Sequence, residues 1–176
     1  MRRGTEPFAL GRRPVGIVLL DGLEEGVLGE VVSIVSRKLG IDTYLLGRVD
    51  ISPPFESGRG RHRADLVISR YVERFSSPSR FCVGLIGADL YMPSMNFVFG
   101  LALRSRGLAV VSWCRLRDGG NLFVTRLAKE VIHEVGHLEG LNHCSNESCV
   151  MRFSNTLGET DAKGLDFCPA CARTRG

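Results

Sequence analysis

Five residues between positions 133 and 143 have types and spacing that could do chemistry: His133, Glu134, His137, Gly140 and His143 match H-E-x-x-H-x-x-G-x-x-H. At 3.6 residues per turn, His133 and His137 fall one turn apart on one helix face, so both imidazoles can address a single metal ion. Glu134 lies roughly 100° further round, beside the metal rather than on it, where a general base is wanted. Gly140 can take a left-handed backbone that ends the helix and turns the chain back. His143 can then return as a third ligand, leaving a fourth position for water. A bare H-E-x-x-H recurs by accident, but three of this chain's four histidines lie inside the longer motif.

A second constellation follows at once. Cys144 and Cys149 are spaced C-x4-C, and Cys168 and Cys171 form the tight knuckle C-P-A-C. Two short-spaced pairs suit a tetrahedral four-cysteine zinc site. Disulfides are the competing reading, and a redox C-x-x-C fits less well because no strand-to-helix pattern precedes Cys168. A closed tetrathiolate has no open position, so its role would be structural: it would staple a C-terminal stretch too short for a core of its own. Cys144 adjoins His143, which links the two centres mechanically.

The elements that must position these residues can be read from hydrophobic period. Val124, Leu127, Val131, Val135 and Leu138 form one apolar arc of the motif helix, with the histidines away from its centre. Asn121 is its candidate N-cap, after the turn Asp118–Asn121. Upstream, Val15–Asp21 is a continuous apolar run, the pattern of a strand covered on both faces. Glu24–Leu39 has helical spacing closed by Gly40, and Thr43–Ile51 reads as a second strand; strand, helix, strand predicts parallel pairing. Phe81–Gly87, Asn96–Gly100 and Gly107–Arg115 read as further strands, whereas Ala64–Arg74 fits either a strand or a helix. Gly107–Arg115, just ahead of the motif helix, is placed either to pair with an extended peptide or to serve as an ordinary sheet strand. Met1–Arg13 reads as a loose or edge-docking terminus and Ser52–Arg63 as a surface loop whose Arg59, Arg61, His62 and Arg63 are expected to be solvated rather than to hold an acidic peptide or phosphate. Cys82 and Cys114 are expected as structural thiols.

Together the motif residues resemble the archaemetzincin (archaelysin) family of metzincin zinc metallopeptidases. The resemblance rests on His133, Glu134, His137, Gly140, His143, Cys144, Cys149, Met151, Cys168 and Cys171, with Asn96–Gly100 (NFVFG) and Ser154–Thr156 (SNT) also similar. It implies an α+β, metzincin-like (zincin) fold: a twisted mixed β-sheet with a backing helix and an active-site helix, then a small zinc-stapled C-terminal subdomain. On that reading one catalytic domain, 1–176, divides into 1–140 and 141–176 with the cleft between. Met151 would be the Met-turn residue under the metal; read alone, it is a core methionine. Several metzincins carry a Tyr after that turn, whereas Tyr44, Tyr71 and Tyr91 lie far upstream here.

The implied function is zinc-dependent hydrolysis of peptide bonds, with two zinc ions per chain. His133, His137 and His143 would hold the catalytic one, which lowers the pKa of bound water to about 7. Glu134 would take a proton from that water and deliver it to the departing amine. The alternative is a metal-stapled binding module, with the arginine-rich surface on nucleic acid and the histidine site vestigial or regulatory. A base beside an open ligand position has no use there, so the enzyme is preferred and nucleic acid is not expected as a partner.

Composition agrees with an ordinary globular chain: 176 residues, 44% hydrophobic, mean hydropathy +0.05 and net charge +4. No run approaches the roughly 20 apolar residues of a membrane span, and Val15–Leu20 is too short for a secretory signal. A cytoplasmic protein acting on peptides or proteins is therefore expected. Cleavage preference, endo- or exopeptidase action and oligomeric state are not written in the residues.

Overall fold

A computed structural model describes residues 13–51, 61–117 and 121–175. The expected loose terminus, most of the 52–63 loop with Arg59, and the 118–120 turn lie outside the described residues. In chain order the elements begin with β1 (Val15–Leu19), α1 (Glu25–Leu39) and β2 (Thr43–Arg48). Next come β3 (Arg61–Arg63) and α2 (Ala64–Val67), which runs on through a π turn, Ile68–Val72, and a 3-10 turn, Glu73–Phe75. Strands β4 (Phe81–Ile86), β5 (Asp89–Met92), β6 (Met95–Val98), β7 (Gly100–Leu103) and β8 (Leu108–Ser112) follow. Helix α3 (Phe123–Leu138) carries the motif, and α4 (Leu157–Ala162) and α5 (Pro169–Thr174) complete the order.

The main sheet has the order β2-β1-β4-β8-β7, all parallel except the antiparallel β7–β8 pair. Its central strands are buried on both faces, which is why they read as unbroken apolar runs rather than alternating ones. The alternation is still there in the packing. Val15, Ile17, Leu19, Val83, Leu85, Ala109 and Val111 face α1 and α3, while Val18, Cys82, Ile86, Leu108 and Val110 face α2. Helix α1 buries Leu28, Val31, Val35 and Leu39, each contributing about 1.5–3 kcal/mol of transfer free energy. It stops at Gly40, whose φ of 67° lets its N–H reach the Ser36 carbonyl.

The structure corrects several local expectations. Gly107 (φ 67°) reverses the chain so that β8 runs back between β4 and β7; of the two readings of Gly107–Arg115 the ordinary sheet strand holds, and β7 is the edge on that side. Asn96–Gly100 is not one strand: it changes sheets at buried Phe99, leaving β6 in a small β3-β5-β6 sheet and starting β7 at Gly100. His62 is buried in β3 rather than solvated, and its flanking charges are matched, Arg61 by Asp89 and Arg63 by Asp65. Cys114 is exposed, outside the core. Asn121 does not cap α3: Leu122 holds that position, with no side-chain cap.

Beyond α3 the chain is tied back by polar contacts. Arg126 forks onto Asp161 at 2.6 Å, and Lys129 Nζ donates to the Thr160 and Asp161 carbonyls at 2.9 and 3.0 Å. Lys163, its side chain wholly buried, reaches Glu130 Oε1 at 2.9 Å. Thr156 and Glu159 form a capping box at the start of α4. Arg175 forks onto Glu139 at 2.5 and 3.0 Å with both side chains 4% exposed, and lies over the Phe167 ring.

Candidate metal centres

Helix α3 buries its apolar arc against the sheet and turns Glu130, His133, Glu134 and His137 toward a cleft of about 490 Å3. It ends in a Schellman motif. Gly140, at φ 100°, donates to the His137 carbonyl, and the Leu141 N–H donates to the Gly136 carbonyl. That turn brings the Leu141 carbonyl to His137 and delivers His143 to the same face.

The three imidazoles converge, with one ring nitrogen from each within 4.8 Å of the others. His133 Nδ1 lies 2.8 Å from the Val150 carbonyl and His137 Nδ1 2.8 Å from the Leu141 carbonyl. A carbonyl only accepts, so both Nδ1 atoms carry the proton and both Nε2 atoms are bare. Those bare nitrogens face each other at 3.1 Å. Two lone pairs so close repel unless they share a cation, which is the arrangement of a metal site. Burial lowers the pKa of all three histidines, that of His133 furthest, so the rings are neutral as ligation requires. His133, His137 and His143 would fit a zinc ion at the wall of the cleft.

Glu134 sits beside them, 4% exposed. Burial, reinforced by the charge of Glu130, raises its pKa well above the ordinary carboxylate value. Edge strand β7 passes directly over its carboxylate: a β-carbon on Gly100 would lie 2.5 Å from Glu134 Oε1. Beneath the histidines, fully buried Met151 packs into the gap left by Gly136, where a β-carbon would overlap its sulfur. Phe153 stands two residues beyond Met151, its ring centroid 5.0 Å from that of His143. It contributes no hydroxyl.

Cys144, Cys149, Cys168 and Cys171 also cluster, one sulfur from each within 4.8 Å of the others. The Asn146 N–H points at Cys144 Sγ and the Cys168 N–H at Cys149 Sγ, as amides do around thiolates. The Cys171 N–H, helped by neighbouring thiols, lowers the pKa of Cys168 to about 7, so a thiolate is available at neutral pH. Soft donors in this number suit a closed zinc site. The Cys144 N–H donates to the Met151 carbonyl at 2.9 Å, tying the cluster to the floor under the histidines.

The three motif histidines and the four cysteines therefore lie in two adjoining clusters, with Glu134 beside the first. Gly136, Glu130 and Lys163 were missed, and Gly100 was named only as part of NFVFG, without its role against Glu134. Glycines carry no chemical label, and the Glu130–Lys163 pair spans a sequence distance that no local period records.

Comparison with known proteins is consistent with this geometry. A model of peptidase family M54 matches residues 79–175. The archaemetzincin of Pyrobaculum aerophilum is 47% identical over 123 residues, 70% of this chain and 76% of that one. That of Methanopyrus kandleri is 36% identical over 165 residues, 92% of this chain and 88% of that one. The crystal structure of archaemetzincin from Archaeoglobus fulgidus complexed with malonate superposes with a TM-score of 0.80 at 31% identity, covering 92% of this chain and 99% of that one.

Proposed function

Since the chain belongs to peptidase family M54, the archaemetzincins, we propose that it cuts peptide bonds in the cleft between β7 and α3, with Glu134 as the base and His133, His137 and His143 as the catalytic metal ligands. The chain is a zinc metallopeptidase of metzincin-like fold, a hydrolase acting on peptides or proteins. Its two clusters fit two zinc ions, the four cysteines serving the structural one.

When bound at the histidines, zinc supplies Lewis acidity to water and to the scissile carbonyl. The remaining work falls to the chain itself. His133 and His137 present bare Nε2 atoms because backbone carbonyls hold their other nitrogens. An extended substrate adds to the free edge of β7 by main-chain hydrogen bonds. Gly100 lets that backbone run close above Glu134. Glu134, whose pKa burial raises, is placed beside the histidines to take a proton from water and return it to the leaving amine. Met151 and Gly136 interlock as a floor that keeps the two helix histidines in place. Residues 1–140 and 141–176 are read as two subdomains, the first supplying β7 and α3 to the cleft and the second His143 and Phe153. Among the described residues no helix is long and apolar enough to cross a membrane; the unpaired cysteines favour a cytoplasmic setting.

The observation that carries this reading is the pair of Nε2 atoms 3.1 Å apart, with each ring's Nδ1 against a backbone carbonyl, beside a buried carboxyl group. Zinc-loaded wild type and Glu134→Gln should be incubated with a mixed-peptide digest and read by mass spectrometry. The variant should keep both metals and lose on the order of 10²–10⁴ in cleavage rate. Wild-type rates from Glu134→Gln would overturn the assignment.

A further inference from the structure

The cleft is lined mainly by apolar side chains, Met95, Phe97, Phe99, Leu101 and Phe153 among them. Its lining holds three formal charges apart from the histidines, and two of these, Glu130 and Glu134, are buried. The third is Arg104, exposed at the far end of β7 where the edge strand gives way to a short 3-10 turn.

The guanidinium of Arg104 lies over the turn between His137 and His143. A β-carbon on Gly140 would come within 2.5 Å of its Nη2 and 2.7 Å of its Cζ. Gly140 is required by its φ of 100°, and the guanidinium occupies the space beside it, next to the histidines. Among the described residues, that guanidinium has neither a hydrogen bond nor an ion pair. Its neighbours are otherwise engaged. Arg106 pairs with Glu73 on another side, and Glu139, next to Gly140 in the chain, is held by Arg175. A donor fork at the wall of an apolar cleft, without a partner among the described residues, matches the planar shape of a carboxylate.

We propose that Arg104 is a specificity residue whose guanidinium receives a substrate carboxylate, either an acidic side chain near the scissile bond or the free C-terminus of a short peptide. The proposal rests on the peptidase reading above. It makes the cleft selective for an anion at one position while its apolar wall accepts varied side chains elsewhere.

The test uses zinc-loaded full-length protein and peptides matched in all but one feature. One series carries Glu, Gln or Lys at each position around the cleaved bond; the other has a free or an amidated C-terminus. In wild type, kcat/KM should favour one carboxylate form over its neutral match by about tenfold. The series that shows the preference identifies the source. Arg104→Gln should bring that ratio close to one, and Arg104→Glu should favour the Lys peptide over the Glu peptide. A wild-type ratio near one in both series, or one unchanged in Arg104→Gln, overturns the proposal. Anisotropy of the same labelled peptides on the Glu134→Gln background, with and without Arg104→Gln, reads the preference without turnover. Absence of cleavage by wild type would thus count against the peptidase reading alone, while the binding ratio still decides the role of Arg104.

Discussion

Lys163 places its ammonium 2.9 Å from Glu130 Oε1, one helical turn before Glu134, with the two side chains 0% and 4% exposed. A charge pair this deep is costly to break, because removing one partner leaves the other buried and uncompensated. Lys163→Met should therefore destabilise the protein by about 3–5 kcal/mol in urea unfolding. Adding Glu130→Leu should recover most of that loss. A single variant within 1 kcal/mol of wild type, against that estimate, would remove the pair from the account of stability.

Two glycines separate catalysis from metal retention. Gly100→Ala puts a methyl group against the Glu134 carboxylate and touches no metal ligand. Activity should fall at least tenfold, following the sensitivity of a base to small displacements, while elemental analysis still finds two zinc ions. Gly136→Ala drives a methyl group into the Met151 sulfur below the histidines. That variant should be destabilised by about 1–3 kcal/mol and lose metal from the histidine site. Equal zinc contents in the two variants would contradict this division of labour.

Cys168→Ser removes a sulfur that lies 3.8 Å from Cys144 Sγ. Zinc content should drop by one ion per chain, and the melting temperature should fall well below that of wild type, since structural metal binding is folding free energy. Because Cys144 adjoins His143, peptide cleavage should decline in step with the lost metal. An unchanged melting curve would mean that the cysteine cluster staples nothing.

Acid sensitivity should depend on Asp161. The Arg126 guanidinium, donating two hydrogen bonds at 2.6 Å, holds its carboxyl below the usual range. A depressed folded pKa gives stability that is present above the unfolded value and lost as pH falls through the folded one. Urea unfolding from pH 6 down to pH 3 should show this loss in wild type, about 1 kcal/mol for a partly exposed fork. Asp161→Asn should lack it, with a lower starting stability and a shallower acid slope.

How much was legible in the residues follows from the range of each interaction. The histidine motif and the cysteine pairs are local, and helix geometry alone places His133 over His137. The apolar runs of β1, β4 and β8 were readable because both faces of their sheet are covered. The identity of the edge strand was not, since it depends on how Gly107 folds β8 back beside β4. The approach of Gly100 to Glu134 and the pairing of Glu130 with Lys163 join residues more than thirty positions apart. Such contacts leave no periodic trace. Asn121 shows the opposite failure: a good capping residue is present, yet the helix begins two residues later without it.

The fork between Glu139 and Arg175 sets a timetable for biosynthesis. Its members stand 36 residues apart, both side chains 4% exposed, and Arg175 is the charge that answers Glu139. At translation rates of 5–20 residues per second, Glu139 waits about two to seven seconds for its partner to be made. Through that interval the sheet and the helix of the motif can already exist on the ribosome, while the far end of that helix carries an unanswered negative charge. The far end of the motif helix is thus secured only after the stretch that carries Arg175 has been made.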